Sequence, residues 1–369
     1  MVFMSMTDQS IIRYDLNASN SARGVALLLL LWHHLFYSKV IYGYPTYGVF
    51  VYISSRFAYI ASAMFIILSG YALAVSVKDR PIGLLKFYKK RLPRLYLNYW
   101  LIALIFIPIG VFFGYRPLIM AFPTEPYLKL LIQMTGFHMF IDSVSYGYNA
   151  TWWFMSLILS LYLLFPLFYY LTKKFGFWFL PVCFLFNFSW GPVTKWYAFL
   201  TVWFFAFTLG IYLGRTDGFA RISKQFKRLG IFRFILLGAL ILISVYIRQF
   251  LPYIKYIGFL KSHGLDWIYA LIIMLFFFEI TQSYPLIQRP LAFMGRHLFN
   301  IFLFHTFIFY YYWPDFIYDF HNPYLIFIVL LAISLIVSVA IDYIRKLLRF
   351  ESILSWIDGI KVKDIIFIN

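Results

Sequence analysis

Apolar residues in this chain come in long continuous runs, interrupted by Gly, Pro and clusters of Lys and Arg. The runs do not alternate with polar residues, so they predict helices that span a bilayer rather than the strands of a barrel. Ten candidate spans result, at 24–42, 57–77, 95–115, 152–171, 175–190, 196–214, 231–248, 265–280, 298–313 and 324–343. Each is near the ~20 residues that a hydrocarbon core requires. The fifth and eighth are short, and a count of nine or eleven fits the same breaks. The expectation is an all-α polytopic membrane helix bundle of about ten transmembrane helices.

Composition agrees. Hydrophobic residues make up 63% of the 369 and charged ones 12%, with a mean hydropathy of +0.79. A water-soluble protein could not hide that much apolar surface. The formal net charge of +18 does not point to nucleic acid, because the basic residues sit in short connections between spans. They report topology instead. With the N-terminus inside, 24 of the 32 Lys and Arg fall on the cytoplasmic side, which places both termini in the cytoplasm of a cell inner (plasma) membrane protein. The organisation reads as a tail over 1–22, a membrane domain over 23–344 and a second tail over 345–369. The polar first residues lead into a span without a small-residue cleavage pattern, so the first helix is read as uncleaved. Cys183, the single cysteine, reads as a small core residue. No Cys, His or carboxylate set has metal-ligand spacing.

Inside a span, charge and imidazole are expensive and mark function. The first span opens at Arg23 and contains His33 and His34. Arg23 and His34 are eleven residues apart, about three turns, so both project from one face roughly 16 Å apart along the axis. His33 points about 80° away from that face. His34 is therefore the candidate for chemistry.

These residues match the arginine-x10-histidine pattern of the acyltransferase-3 group of membrane acyltransferases, which the chain resembles over nearly its whole length. Met64 to Tyr71 looks like the family's Phe-Phe-x-Leu-Ser-Gly-Phe/Tyr block, and Lys90 to Leu95 with Tyr99 is similar to its basic loop. Trp152, Trp153, Tyr162 and Pro166 resemble its tryptophan-to-Tyr-x-x-x-Pro span, Gly210 and Gly214 a small-residue span, and Phe293 to His305 the late block ending in histidine. The chain departs from the pattern at Asn20, Ala63 and Ile158, where acids are common, and at Leu97, where the basic loop has proline. The resemblance implies an enzyme that O-acylates surface glycans.

On that footing the expected function is transfer of an acetyl (acyl) group from acetyl-CoA, as co-substrate, to a hydroxyl of a cell-surface or lipid-linked polysaccharide, with no bound cofactor and no metal. His34 would act as general base or as acyl carrier, and Arg23 would bind a coenzyme A phosphate or orient the donor. Arg91, Arg94, Ser69 and Gly70 are the further acyl-CoA-binding candidates, with positive-inside anchoring and helix packing as their ordinary alternatives. His305, Arg296 and Trp153 are candidates to line the cavity. Arg56 and Glu279 read as paired or interfacial. Outer-face aromatics (Tyr42, Tyr44, Tyr47, Tyr146, Tyr148, Trp152, Trp153 and Trp313) fit a glycan platform or an interfacial belt. A polysaccharide exporter or flippase without catalysis is the alternative function.

Overall fold

A computed structural model describes residues 16–40, 47–78, 82–144, 147–186, 199–250, 265–360 and 367–368. The described residues are helical throughout, apart from a two-residue antiparallel pairing of Ile82–Gly83 with Phe367–Ile368 and the short connections between helices. Helices are what continuous apolar runs must form in lipid, because every backbone N–H and C=O then finds its partner within the segment. The principal helices are α1 (Leu16–Val40), α2 (Val49–Phe57), α3 (Ala61–Val77), α4 (Leu84–Phe112), α5 (Trp153–Phe175) and α6 (Phe204–Arg215). They continue as α7 (Gly218–Lys227), α8 (Phe232–Phe250), α9 (Asp266–Ser283), α10 (Pro285–Thr306) and α11 (Pro323–Leu347). Helix α1 begins within the stretch read as a tail.

Among the described residues, seven helical segments are long and apolar enough to cross a membrane, and an eighth exists if one bent pair counts as a single span. That pair is Phe199–Arg215 with Gly218–Lys227, bent by 76° at Thr216 and Asp217, where Asp217 adopts φ 50°. The difference from the expected ten has specific causes. The fourth and fifth expected spans join into one helical segment, Ala150–Leu185. Helix α1 is not among the seven, because its first turns are polar and it carries Arg23, His33 and His34.

Burial sorts the helices into centre and rim. Within the apolar window of Pro285–Tyr312, 78% is buried in the protein, and 72% for Val49–Val77, against 17% for Phe232–Gln249 and 28% for Pro323–Leu347. So α3 and α10 are central, and α8 and α11 face lipid on most sides. Helix α1 is central as well, with Ala26, Leu27, Leu31 and Leu35 fully buried. The costliest residues for lipid contact are thus enclosed by other helices.

Two buried charges outside the site are paired. Glu279 lies 3.0 Å from the Arg233 guanidinium and accepts from the Ser223 hydroxyl. Arg248 grips Asp266 through Nε at 2.8 Å and Nη2 at 3.3 Å, and donates to the Arg56 carbonyl at 2.6 Å, tying α8 to α2 and α9. Removing one partner leaves the other buried and uncompensated. Asp266→Ala should cost about 3–5 kcal/mol, read as a lower thermal midpoint in detergent; an unchanged midpoint would show the pair to be dispensable.

Candidate active site

Glycines let α1 and α10 touch backbone to backbone. Gly24 lies against the Leu291 carbonyl and Gly295 against the Asn20 carbonyl, and a Cβ at either position would overlap the opposing chain. Small residues at a membrane helix crossing permit this approach. The two helices run in the same direction, so further along the pair His34 of α1 meets His305 of α10. His34 Nδ1 and His305 Nε2 are 2.7 Å apart, with ring centroids 4.9 Å apart and planes inclined by 20°. His305 is fully buried, and its Nδ1 lies 2.8 Å from the Ile301 carbonyl and 3.1 Å from that of Phe302.

His34 is half-buried, and among the described residues its Nε2 has no hydrogen-bond partner. It lines a small cavity of about 30 Å³ together with His33, Tyr59, Ser62, Trp153 and Phe302. A water needs roughly 10–15 Å³ of such space, so the cavity holds about two small groups. His33 turns toward α2 instead, where its Nδ1 lies 2.8 Å from the Ser55 carbonyl. Both histidines border the cavity, yet they engage different helices, as the helical phasing requires.

A second cavity, of about 200 Å³, is lined by Arg23, Arg296, Ser69 and Tyr162 among largely apolar side chains that include Ile158 and Leu95. Ile158 stands where the family pattern commonly has glutamate. The lining thus carries two guanidinium groups and no carboxylate, a charge balance suited to an anion. Arg23 Nη1 donates to Asn20 Oδ1 at 3.1 Å. Asn20 keeps the acceptor that an acid would supply at this position but carries no charge, so the guanidinium is oriented without being neutralised.

Phe302 borders both cavities and is 2% exposed. Its ring packs on Phe154 at 4.6 Å and edge-on to Phe65 at 5.9 Å, centroid to centroid. These phenyl rings form a partition between the arginine-lined space and the histidine pair.

The other candidates separate into those at the cavities and those elsewhere. Trp153 lines the small cavity and stacks at 6.3 Å on Trp203. Arg91 donates to the Ser76 hydroxyl at 2.6 Å, and Tyr162 lies close enough to Arg91 and Arg23 to feel both charges. Arg94 is exposed near the start of α4. Gly70 does not line the large cavity; it lies against the Phe207 carbonyl, where α3 crosses α6. Among the aromatics, Tyr148 and Trp152 are fully buried, Trp152 donating to the Leu303 carbonyl at 2.8 Å, so they pack the core rather than face a glycan. Tyr42, Tyr44 and Tyr146 lie outside the described residues.

Sequence reasoning missed several groups next to the histidine pair. Asn149 Oδ1 accepts from Thr151 Oγ1 at 2.8 Å and Thr306 Oγ1 at 2.9 Å, locking the start of the tryptophan span onto α10 beside His305. The Asn-Ala-Thr sequence ahead of an apolar run is a helix-start pattern that pointed there. Tyr59 and Ser62 gave no comparable signal. Hydroxyl and phenol side chains in an apolar run are ordinary until the fold turns them into a cavity.

A family model described as an acyltransferase domain matches residues 16–343. No curated protein and no solved structure matches the chain.

Proposed function

The chain belongs to the acyltransferase-3 family, whose match runs from residue 16 to 343, and on that footing we propose that it moves an acetyl group from acetyl-CoA to a hydroxyl of a cell-surface or lipid-linked glycan. Membership in an acyltransferase family sets aside the carrier reading. The single observation that supports the proposal is the Nε2 of His34, unpartnered among the described residues, beside a cavity that shares the Phe302 wall with an arginine-lined space.

The two cavities divide the reaction. At about 200 Å³ the larger is below the ~300 Å³ of typical small-molecule sites, so it takes the thioester arm of a larger donor. Arg23 and Arg296 supply countercharge for the donor's phosphates, with Arg91 and Arg94 further out. The donor comes from the cytoplasm, in keeping with the bias of basic residues to that side of a plasma membrane. The small cavity holds the reacting groups, and its size favours acetyl over longer acyl chains.

At His34 two routes balance. In direct transfer, Nε2 takes the hydroxyl proton as the oxygen attacks the thioester carbon; the C–S bond breaks and the thiolate leaves, then takes up that proton. In the covalent route, Nε2 itself attacks the thioester carbon and the C–S bond breaks as the thiolate departs; the hydroxyl then attacks the acyl-imidazole, the C–N bond breaks, and the hydroxyl proton passes through the freed Nε2 to the thiolate. The test is turnover by purified protein in lipid nanodiscs, supplied with acetyl-CoA labelled in the acetyl group and with the cell's own surface glycan. Free thiol and label in the glycan are expected, and absence of both would end the proposal.

Two further results are expected. Arg23→Ala should raise KM for acetyl-CoA roughly ten- to hundredfold, the equivalent of a charge-assisted hydrogen bond of about 1.5–3 kcal/mol; an unchanged KM would remove Arg23 from donor binding. Phe302→Ala should open the partition and improve butyryl-CoA relative to acetyl-CoA about tenfold, since each buried methylene contributes about 0.8 kcal/mol. An unaltered ratio of kcat/KM values would mean that the partition does not set chain length.

A further inference from the structure

We propose that His305 is a positioning residue that holds His34 in the one neutral tautomer able to act, with the proton on Nδ1 and the lone pair on Nε2; the inference rests on the acyltransferase reading above. Hydrogen-bond polarity is set from the closed end of the pair. The Ile301 and Phe302 carbonyls, 2.8 and 3.1 Å from His305 Nδ1, can only accept, so Nδ1 must carry hydrogen. Neutral imidazole has one N–H, which leaves His305 Nε2 as an acceptor. At 2.7 Å from it, His34 Nδ1 must then be the donor. The reverse tautomer of His34 would set two lone pairs against each other at that distance. What remains is His34 Nε2, without a partner among the described residues, on a ring that lines the small cavity.

The same bond changes strength when His34 reacts. Once Nε2 has taken a proton or an acyl group, the ring is cationic, and its Nδ1–H donation to His305 becomes charge-assisted. The His305 Nδ1–H, already seated between two carbonyls, lets that proton be shared across the pair. A buried carboxylate does this job in serine hydrolase triads. Here a second imidazole does it without placing a formal negative charge at membrane depth. The surroundings hold the geometry: His305 is walled by Phe302 and stacked on Phe309 at 5.9 Å, while His33, with its ring 5.3 Å from His34, is bonded to the Ser55 carbonyl.

The test compares His305→Gln with His305→Leu in the full chain, and reads kcat, KM for acetyl-CoA and the ¹⁵N imidazole shifts of His34. Glutamine presents an acceptor near the place of Nε2 and should keep kcat within about tenfold of the parent. Leucine cannot accept and should lower kcat on the order of 100-fold or more with KM unchanged. In the parent, His34 should show Nδ1–H and a bare Nε2, and in His305→Leu the proton should move to Nε2. A parent His34 protonated on Nε2, an undiminished kcat in His305→Leu, or equal losses in both variants would overturn the proposal. The NMR assignment needs no turnover and no variant. If the parent transfers no acyl group at all, the acyltransferase reading fails while the tautomer result stands separately, and if His305→Leu does not fold, the parent spectrum decides.

Discussion

His34→Ala should abolish acyl transfer, with kcat down by a factor of about 10² to 10⁴ or more for loss of the base, and further if the ring carries the acyl group. The variant should still be recovered from the membrane as a folded protein. His34 is half-buried and, among the described residues, its one hydrogen bond is to His305, so truncation leaves a single acceptor unpaired at a cost of about 1–3 kcal/mol. His33→Ala is the informative companion. It removes a buried bond to the Ser55 carbonyl, so it should lower thermal stability while retaining most turnover. Acetyl content of the surface glycan in cells, with protein level measured alongside, separates the two. Wild-type acetylation by an inserted His34→Ala protein would end the enzymatic assignment to this residue.

Gly295→Leu should prevent assembly altogether. The Cβ alone would overlap the Asn20 carbonyl and crowd the Gly24 amide nitrogen, both backbone atoms of α1 that cannot rotate away. The helices would have to separate, and with them would go the Arg23 anchor on Asn20 and the histidine pair. Even Gly295→Ala should cost at least the ~1–3 kcal/mol typical of overpacking. Gly238, on the lipid-facing α8, leaves open space within 4 Å of where a Cβ would stand, so Gly238→Ala should be neutral or stabilising by up to about 1 kcal/mol. Size-exclusion profiles of detergent-extracted protein measure both. A monodisperse Gly295→Leu peak at wild-type yield would show that the crossing is not needed.

The class of the fold, and the histidine proposed to react, stood out in the sequence because membrane depth makes polar groups conspicuous. Arg23 and His34 stood out in an apolar run, and helical phasing separated His34 from His33, which do engage different helices. The span count was less legible. Hydropathy identifies segments by composition, whereas α1 is held by neighbours and carries too much polarity to qualify, and 150–185 continues through Thr172, Lys173 and Lys174, where a break was expected. The partnership of His34 with His305 lay out of reach, since 271 positions separate them and only the parallel crossing of α1 and α10 joins them. Gly70 shows the converse. Its sequence context leaned to packing over ligand approach, and the Phe207 carbonyl opposite it accounts for the missing side chain.

The enclosed position of α1 has a consequence for biogenesis. A segment bearing a guanidinium and two imidazoles, and not apolar enough to pass as a span by composition, gains little from partitioning into lipid unaided. Its principal shield, α10, starts at Pro285 and so leaves the ribosome only after most of the polypeptide has been made. Nascent chains released before that point would present Arg23 and His34 to the hydrocarbon, or leave α1 outside it. Quality-control proteases would meet such fragments as unfinished substrates, which makes synthesis of the late helix the step that commits the early one to the bilayer.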